Sequence, residues 1–115
     1  MFLKEIEKEE NLRTLTKLEE YVLLAILNLK ENAYLVTIQE FLDKQAYNPL
    51  SFGTLHVLLR RLEHAELIKH YVGEATSKRG GKAIKYYELT KLGIEALKEI
   101  EKVNSAMWIN FSELV

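Results

Sequence analysis

Apolar positions along the chain alternate between helical stripes and short extended runs. Leu18, Tyr21, Val22, Ala25, Ile26 and Leu29 recur at helical spacing. They follow Thr16-Lys17-Leu18-Glu19, which has the spacing of a capping box. In that motif the hydroxyl takes one orphan N–H and the carboxylate reaches back to another. A first helix is therefore predicted to about Leu29. Tyr34-Leu35-Val36 is a short β-prone stretch, and Thr37-Ile38-Gln39-Glu40, a second capping-box pattern, opens a short helix ending near Gln45. Asn48-Pro49 breaks the chain, since proline disfavours helix in the residue before it.

Ser51 caps a third helix running from Phe52 to about His64, with Leu55, Leu58, Leu59 and Leu62 as its buried stripe. From Leu67 to Val72 the pattern turns extended. Gly73 to Lys82 is polar and holds the turn signal Gly80-Gly81, and Ala83 to Leu89 reads as a second strand. Thr90 caps a last helix whose apolar positions are Leu92, Ala96, Leu97, Ile100, Val103, Met107, Trp108 and Phe111. From Lys91 to Phe111 that helix would be ~31 Å long at 1.5 Å per residue. No internal repeat or low-complexity stretch interrupts this order.

Three helices followed by a long-looped hairpin is the order of a winged helix-turn-helix, with the third helix for the major groove and the hairpin as wing. The predicted fold class is mainly α with a small β-hairpin. It divides into an N-terminal arm or helix (1–14), a winged helix domain (15–90) and a long C-terminal dimerisation helix (91–115). The last helix carries apolar residues over so wide an arc that it needs more than one packing partner. In a chain of 115 residues the second partner is most simply another subunit. Leu97, Ile100, Val103, Met107 and Phe111 are the predicted dimer seam.

Charge changes the picture only once it is located. The chain as a whole is −1. Residues 60–91 are net +4, carrying Arg60, Arg61, Lys69, Lys78, Arg79, Lys82, Lys85 and Lys91 against four glutamates, while the flanking segments are acidic. Local charge steers partners more than the average does. Composition removes other classes. The chain has no cysteine, and Asp43 is the only aspartate, so disulfides, thiolate metal sites, EF-hands and Asp-based triads are excluded. The longest apolar run, Tyr21 to Leu27, is far short of the ~18 residues that span a membrane. The N-terminus lacks the h-region of a signal peptide, and a cytoplasmic location is expected.

The sequence resembles the PadR family of bacterial transcriptional regulators. The likeness rests on Ser51-Phe52-Gly53-Thr54-Leu55-His56-Val57-Leu58-Leu59-Arg60-Arg61-Leu62-Glu63, similar to that family's S-x-G-T-L-Y-x-x-L-x-R-L-E recognition helix. It rests equally on Gly81 to Gly93, similar to its wing strand and K-Y-Y-x-L-T-x-x-G ending. Here His56 replaces the usual tyrosine, Ala33 stands where glycine is common, and Glu66 takes the usual glycine after the recognition helix. Because a Cβ is strained at positive φ, the helix is expected to end by a different turn. The resemblance implies a dimeric repressor joined through its last helix, some members releasing DNA when they bind phenolic acids or drugs.

Ser51, Thr54 and His56 lie in the first turn of the third helix, where hydroxyls and a helix N-terminus suit phosphate or base-edge contacts. Arg60 suits phosphate neutralisation. One of Arg60 and Arg61 is expected to pair with a nearby glutamate, and Arg61 is given less weight. Lys78, Arg79, Lys82 and Lys85 surround the Gly-Gly turn as a basic wing. Tyr21, Tyr34, Phe41 and one of Tyr86 and Tyr87 read as core. Trp108 is either dimer core or the lining of a pocket for a small aromatic effector. His56, His64 and His70 lack metal-ligand spacing, the four serines lack a nucleophile setting, and neither enzyme activity, a cofactor nor a metal is expected. The predicted function is a sequence-specific DNA-binding repressor, binding double-stranded palindromic DNA as a homodimer and relieved by an aromatic effector. The alternative is a winged-helix protein-interaction module without an operator.

Overall fold

A computed structural model describes residues 15–46, 49–73 and 83–114. The predicted arm over residues 1–14 and the wing cations Lys78, Arg79 and Lys82 lie outside the described residues. The elements are α1 (Lys17–Leu29), a 3-10 turn (Lys30–Asn32), α2 (Leu35–Gln45), α3 (Phe52–His64), β1 (Ile68–Gly73), β2 (Ile84–Leu89), α4 (Lys91–Trp108) and the single turn α5 (Phe111–Leu114). The mainly helical class with one antiparallel hairpin is as predicted, Ile68 pairing with Leu89 and Gly73 with Ile84. No helix among the described residues is long and apolar enough to cross a membrane.

Capping chemistry sets most helix starts. Thr16 Oγ1 accepts from the Glu19 N–H at 3.1 Å while the Glu19 carboxylate accepts from the Thr16 N–H at 3.1 Å, the complete capping box. Ser51 and Thr90 cap α3 and α4 by accepting from the N–H groups of Thr54 and Gly93. The second pattern behaves differently from its prediction. α2 begins at Leu35, and Thr37 is its third residue rather than its cap. The Thr37 hydroxyl accepts from the Tyr34 N–H at 2.9 Å and donates to the Asn32 carbonyl at 2.6 Å. The expected β stretch Tyr34-Leu35-Val36 is not a strand, because Tyr34 caps α2 and Leu35 and Val36 open it. The extended residue is Ala33 before them, at φ −93°, whose carbonyl accepts from the Tyr87 N–H of β2 at 2.8 Å.

The core gathers one face from each helix. Val22, Leu23, Ala25 and Ile26 of α1 meet Ile38 and Leu42 of α2 and the Leu55, Leu58, Leu59, Leu62 stripe of α3. Leu67, Ile68, Tyr87 and Ala96 close it from the hairpin and α4. Each fully buried leucine or isoleucine contributes about 1.5–3 kcal/mol relative to exposure. Tyr21 and Phe41 are half-buried against this cluster, as expected, and of the two wing tyrosines it is Tyr87 that is buried. Glu20 is the one buried charged side chain among the described residues. It accepts from the Asn104 amide at 3.1 Å and pairs with Lys17 at 3.0 Å, tying the middle of α4 to α1. Hydrogen bonding to Glu20 is the main reason the Lys17 ammonium titrates above its ordinary value.

The end of α3 corrects a second expectation. Glu66 takes the left-handed turn that glycine usually fills, at φ 63°. The Leu67 N–H donates to the Leu62 carbonyl at 3.0 Å and the Glu66 N–H to that of Glu63 at 2.9 Å, the paired bonds of a Schellman motif. A left-handed residue with a Cβ costs roughly 1–2 kcal/mol. Thr90 helps to hold it there, donating to the Glu66 carbonyl at 2.6 Å, while the Thr90 N–H donates to the Leu67 carbonyl at 3.1 Å. The end of α3, the hairpin base and the start of α4 are thereby joined at one node.

α4 ends at Trp108, three residues short of the predicted Phe111, which lies instead on α5. Leu97 is half-buried against the chain's own core, and Ile100 is also half-buried. Beyond them, Val103, Met107, Trp108, Ile109, Phe111 and Leu114 are all exposed, Met107 at 80% and Leu114 at 85%.

Candidate nucleic-acid interface

Burying Leu55, Leu58, Leu59 and Leu62 fixes which face of α3 looks outward. At 100° per residue, the positions opposite that stripe are Gly53, Val57, Arg60 and His64, flanked by His56 and Arg61. All six are exposed. Phe52, in the first turn, is 45% exposed although it is a large aromatic. The start of α3 is held by the Gln39 amide, which donates to the Leu50 carbonyl at 2.7 Å, so the helix is anchored to α2 before it begins.

The predicted residues in the first turn have a dual character. The Ser51 hydroxyl donates to Thr54 Oγ1 at 3.0 Å while accepting from the Thr54 N–H. Both side chains are exposed, but their hydroxyls already serve the cap. His56 and Arg60 face outward on the next turns. Neither Arg60 nor Arg61 forms an ion pair among the described residues, against expectation. The reason lies one turn on: the Glu63 carboxylate is taken by His70 Nδ1 of β1, at 2.6 and 2.9 Å. An ionised carboxylate only accepts, so Nδ1 is the protonated nitrogen here.

The wing strand completes a shallow groove lined by His56, Arg60, Glu63, His64, Glu66 and Lys85. Cross-strand pairing puts Val72, Lys85, His70 and Tyr87 on one face of the hairpin, the face that meets Glu63 of α3. The Lys85 ammonium stands 5.9 Å from the Tyr87 ring centre, a cation–π distance. Burial pushes the Tyr87 phenol above its ordinary value, with the Glu63 charge acting in the same direction, so it stays neutral. On the opposite face, Tyr71 stacks on Tyr86 and Tyr86 meets Tyr34 edge-on, each at 5.5 Å, which stiffens the hairpin against α2. The second pair in the wing, Lys69 with Glu88 at 3.4 Å, is exposed and contributes little.

The structure thus brings His56, Arg60 and Lys85 together in one groove and puts Ser51 and Thr54 at the start of the same helix. Sequence reasoning passed over Phe52, Gly53, Val57 and His64 as surface of this face; projecting the leucine stripe to its opposite side would have found the last three. Trp108 is far along α4, 61% exposed, with its ring edge-on to Phe111 at 4.8 Å.

Comparison with known proteins bears on the family and the fold. The family model "Transcriptional regulator PadR-like family" matches residues 23–99. A PadR-like transcription factor from Bacteroides fragilis has a TM-score of 0.67 and 28% identity, covering 99% of this chain and 98% of its own. A PadR family regulator from Clostridium difficile has a TM-score of 0.64 and 29% identity, covering 84% and 98%. The same fold, at 18% identity and a TM-score of 0.65, occurs in a MepR mutant from S. aureus bound to an oligodeoxyribonucleotide, with 98% and 79% covered. No curated protein matches the chain. With the family model spanning two thirds of its length, over a winged helix built on these same elements, the chain belongs to the PadR-like family of transcriptional regulators.

Proposed function

We propose that this regulator binds double-stranded DNA sequence-specifically, with α3 in the major groove and the β1–β2 wing on the flanking backbone. The observation that carries this reading is the outward face of α3, which sets exposed Arg60 and His56 across one groove from Lys85 of the wing. Cations placed there neutralise phosphates and fix register, while the side chains of the first two turns reach base edges. Ser51, Thr54, His56, Arg60 and Lys85 are the proposed contacts, joined by Lys78, Arg79 and Lys82 from the sequence between β1 and β2.

The active form in this proposal is a homodimer whose seam includes Ile100, Val103, Met107 and Phe111. It acts in the cytoplasm as a repressor, by occupying a promoter. Trp108, exposed beside Phe111 and Met107, offers a polarizable stacking surface for a planar aromatic effector that changes the angle between subunits. Isologous pairing makes the two recognition helices symmetry-related, so the operator should be an imperfect palindrome with half-sites one helical turn, ~10 bp, apart. Selection of genomic fragments by the purified protein is expected to enrich such a palindrome. Fragments retained with no common sequence would contradict sequence-specific binding.

A further inference from the structure

The three described glycines differ in what a side chain at each would meet. A Cβ on Gly73 would run into the Tyr86 ring at 2.5 Å, and one on Gly93 into the Leu67 carbonyl oxygen at 2.1 Å. At Gly93 the obstacle is backbone and glycine is required by the chain's own packing, whereas at Gly73 the Tyr86 ring would have to shift. Among the described residues, a Cβ on Gly53 would meet only Ser51 Oγ, at 4.0 Å. Its φ lies outside the left-handed region, so no backbone conformation demands glycine either. A glycine within a helix loses more conformational entropy on folding than alanine does. The fold therefore bears a cost at position 53 for which no contact among the described residues accounts.

Gly53 is also on the outermost line of α3, in register with Val57, Arg60 and His64 and directly opposite the leucine stripe. We infer that Gly53 is the point of closest approach between α3 and the DNA duplex, its missing side chain letting the first turn of the helix seat against the groove. This inference rests on the DNA-binding reading above and deepens it. The occupant is DNA rather than a protein, because farther along α3 the groove shared with the wing offers Arg60 and Lys85 to an anionic partner, while Glu63, one of its two glutamates, is engaged by His70. A side chain at 53 would hold the whole helix away, so every base and phosphate contact of α3 would lengthen together.

The test compares wild type, Gly53→Ala and Gly53→Leu, following thermal unfolding at equal protein concentration and equilibrium binding to the duplex recovered by genomic selection. Alanine is expected to raise Tm by about 2–6 °C, since a compatible Gly→Ala change restricts the unfolded chain, while weakening DNA binding at least tenfold. Leucine should weaken binding at least a further tenfold, because the loss is steric. Opposite signs in stability and affinity are what a purely structural glycine would not give. Affinities of both variants within threefold of wild type would overturn the inference while leaving the DNA-binding reading intact. So would a fall in Tm with alanine, which would make Gly53 a packing residue. If wild type itself selects no duplex, the DNA-binding reading fails and the inference falls with it.

Discussion

Replacing Gly93 by alanine is expected to cost the fold roughly 3 kcal/mol or more, the top of the usual overpacking range. In most helix positions the same change is neutral or stabilising, by up to about 1 kcal/mol. Here the sign inverts because the obstacle is backbone. The added Cβ would sit 2.1 Å from the Leu67 carbonyl oxygen and 3.1 Å from its carbon, and neither atom can rotate aside. The same carbonyl accepts from the Thr90 N–H, and Thr90 in turn holds the Glu66 turn at the end of α3. Relieving the clash therefore pulls the start of α4 away from both the hairpin base and the end of α3. At about 4–8 °C per kcal/mol for a domain near this size, Tm measured by circular dichroism should fall by ~12 °C or more. A Tm within ~3 °C of wild type would mean that α4 does not pack this closely against Leu67.

Met107→Glu is expected to dissociate the proposed homodimer with little effect on the protomer. Met107 is 80% exposed and belongs to a run that ends in Trp108, Ile109, Phe111 and Leu114, all at least half exposed. Contiguous apolar surface of this kind on one protomer is characteristic of an interface. A glutamate there would enter the proposed seam twice, once from each subunit, and each copy would lose water in an apolar surface. The dissociation constant should rise at least a hundredfold, about 2.8 kcal/mol at 1.4 kcal/mol per decade. Sedimentation equilibrium should show a wild-type dimer and a variant monomer at micromolar concentration, with helical content retained in both. A wild type that sediments as a monomer at every concentration would remove the dimer from the account.

What could be read ahead of the structure was chemistry closed within a few residues. The caps at Thr16, Ser51 and Thr90 each depend on a hydroxyl and an N–H three positions on, and all three stand. Thr37 carries the same local signature, yet its role is decided by Asn32, five residues back, and by the pull of Tyr87 on Ala33. Glu66 shows the same limit. Its Cβ argued against a left-handed turn, but two backbone bonds and the distant Thr90 outweigh a cost of roughly 1–2 kcal/mol. The close contact at Gly93 is invisible in a linear chain because its partner, Leu67, is far away in sequence. In the candidate interface, Arg60 and Lys85 announced themselves by charge, whereas Gly53 and Val57 carry no ionisable group and become visible only once the buried stripe fixes the opposite face. The pairing of Glu63 with His70 rather than an arginine depends on how β1 returns along α3.

The most direct measurement of the central claim is the salt dependence of binding to the selected duplex, for wild type and for the Arg60→Ala/Lys85→Ala double variant. A symmetric dimer presents two copies of each cation, four phosphate contacts in all. At about 0.9 per phosphate, their loss should flatten the slope of log affinity against log salt by roughly 3.6, and binding should weaken at every salt concentration. An unchanged affinity with an unchanged slope would contradict the placement of DNA in the groove between α3 and the wing.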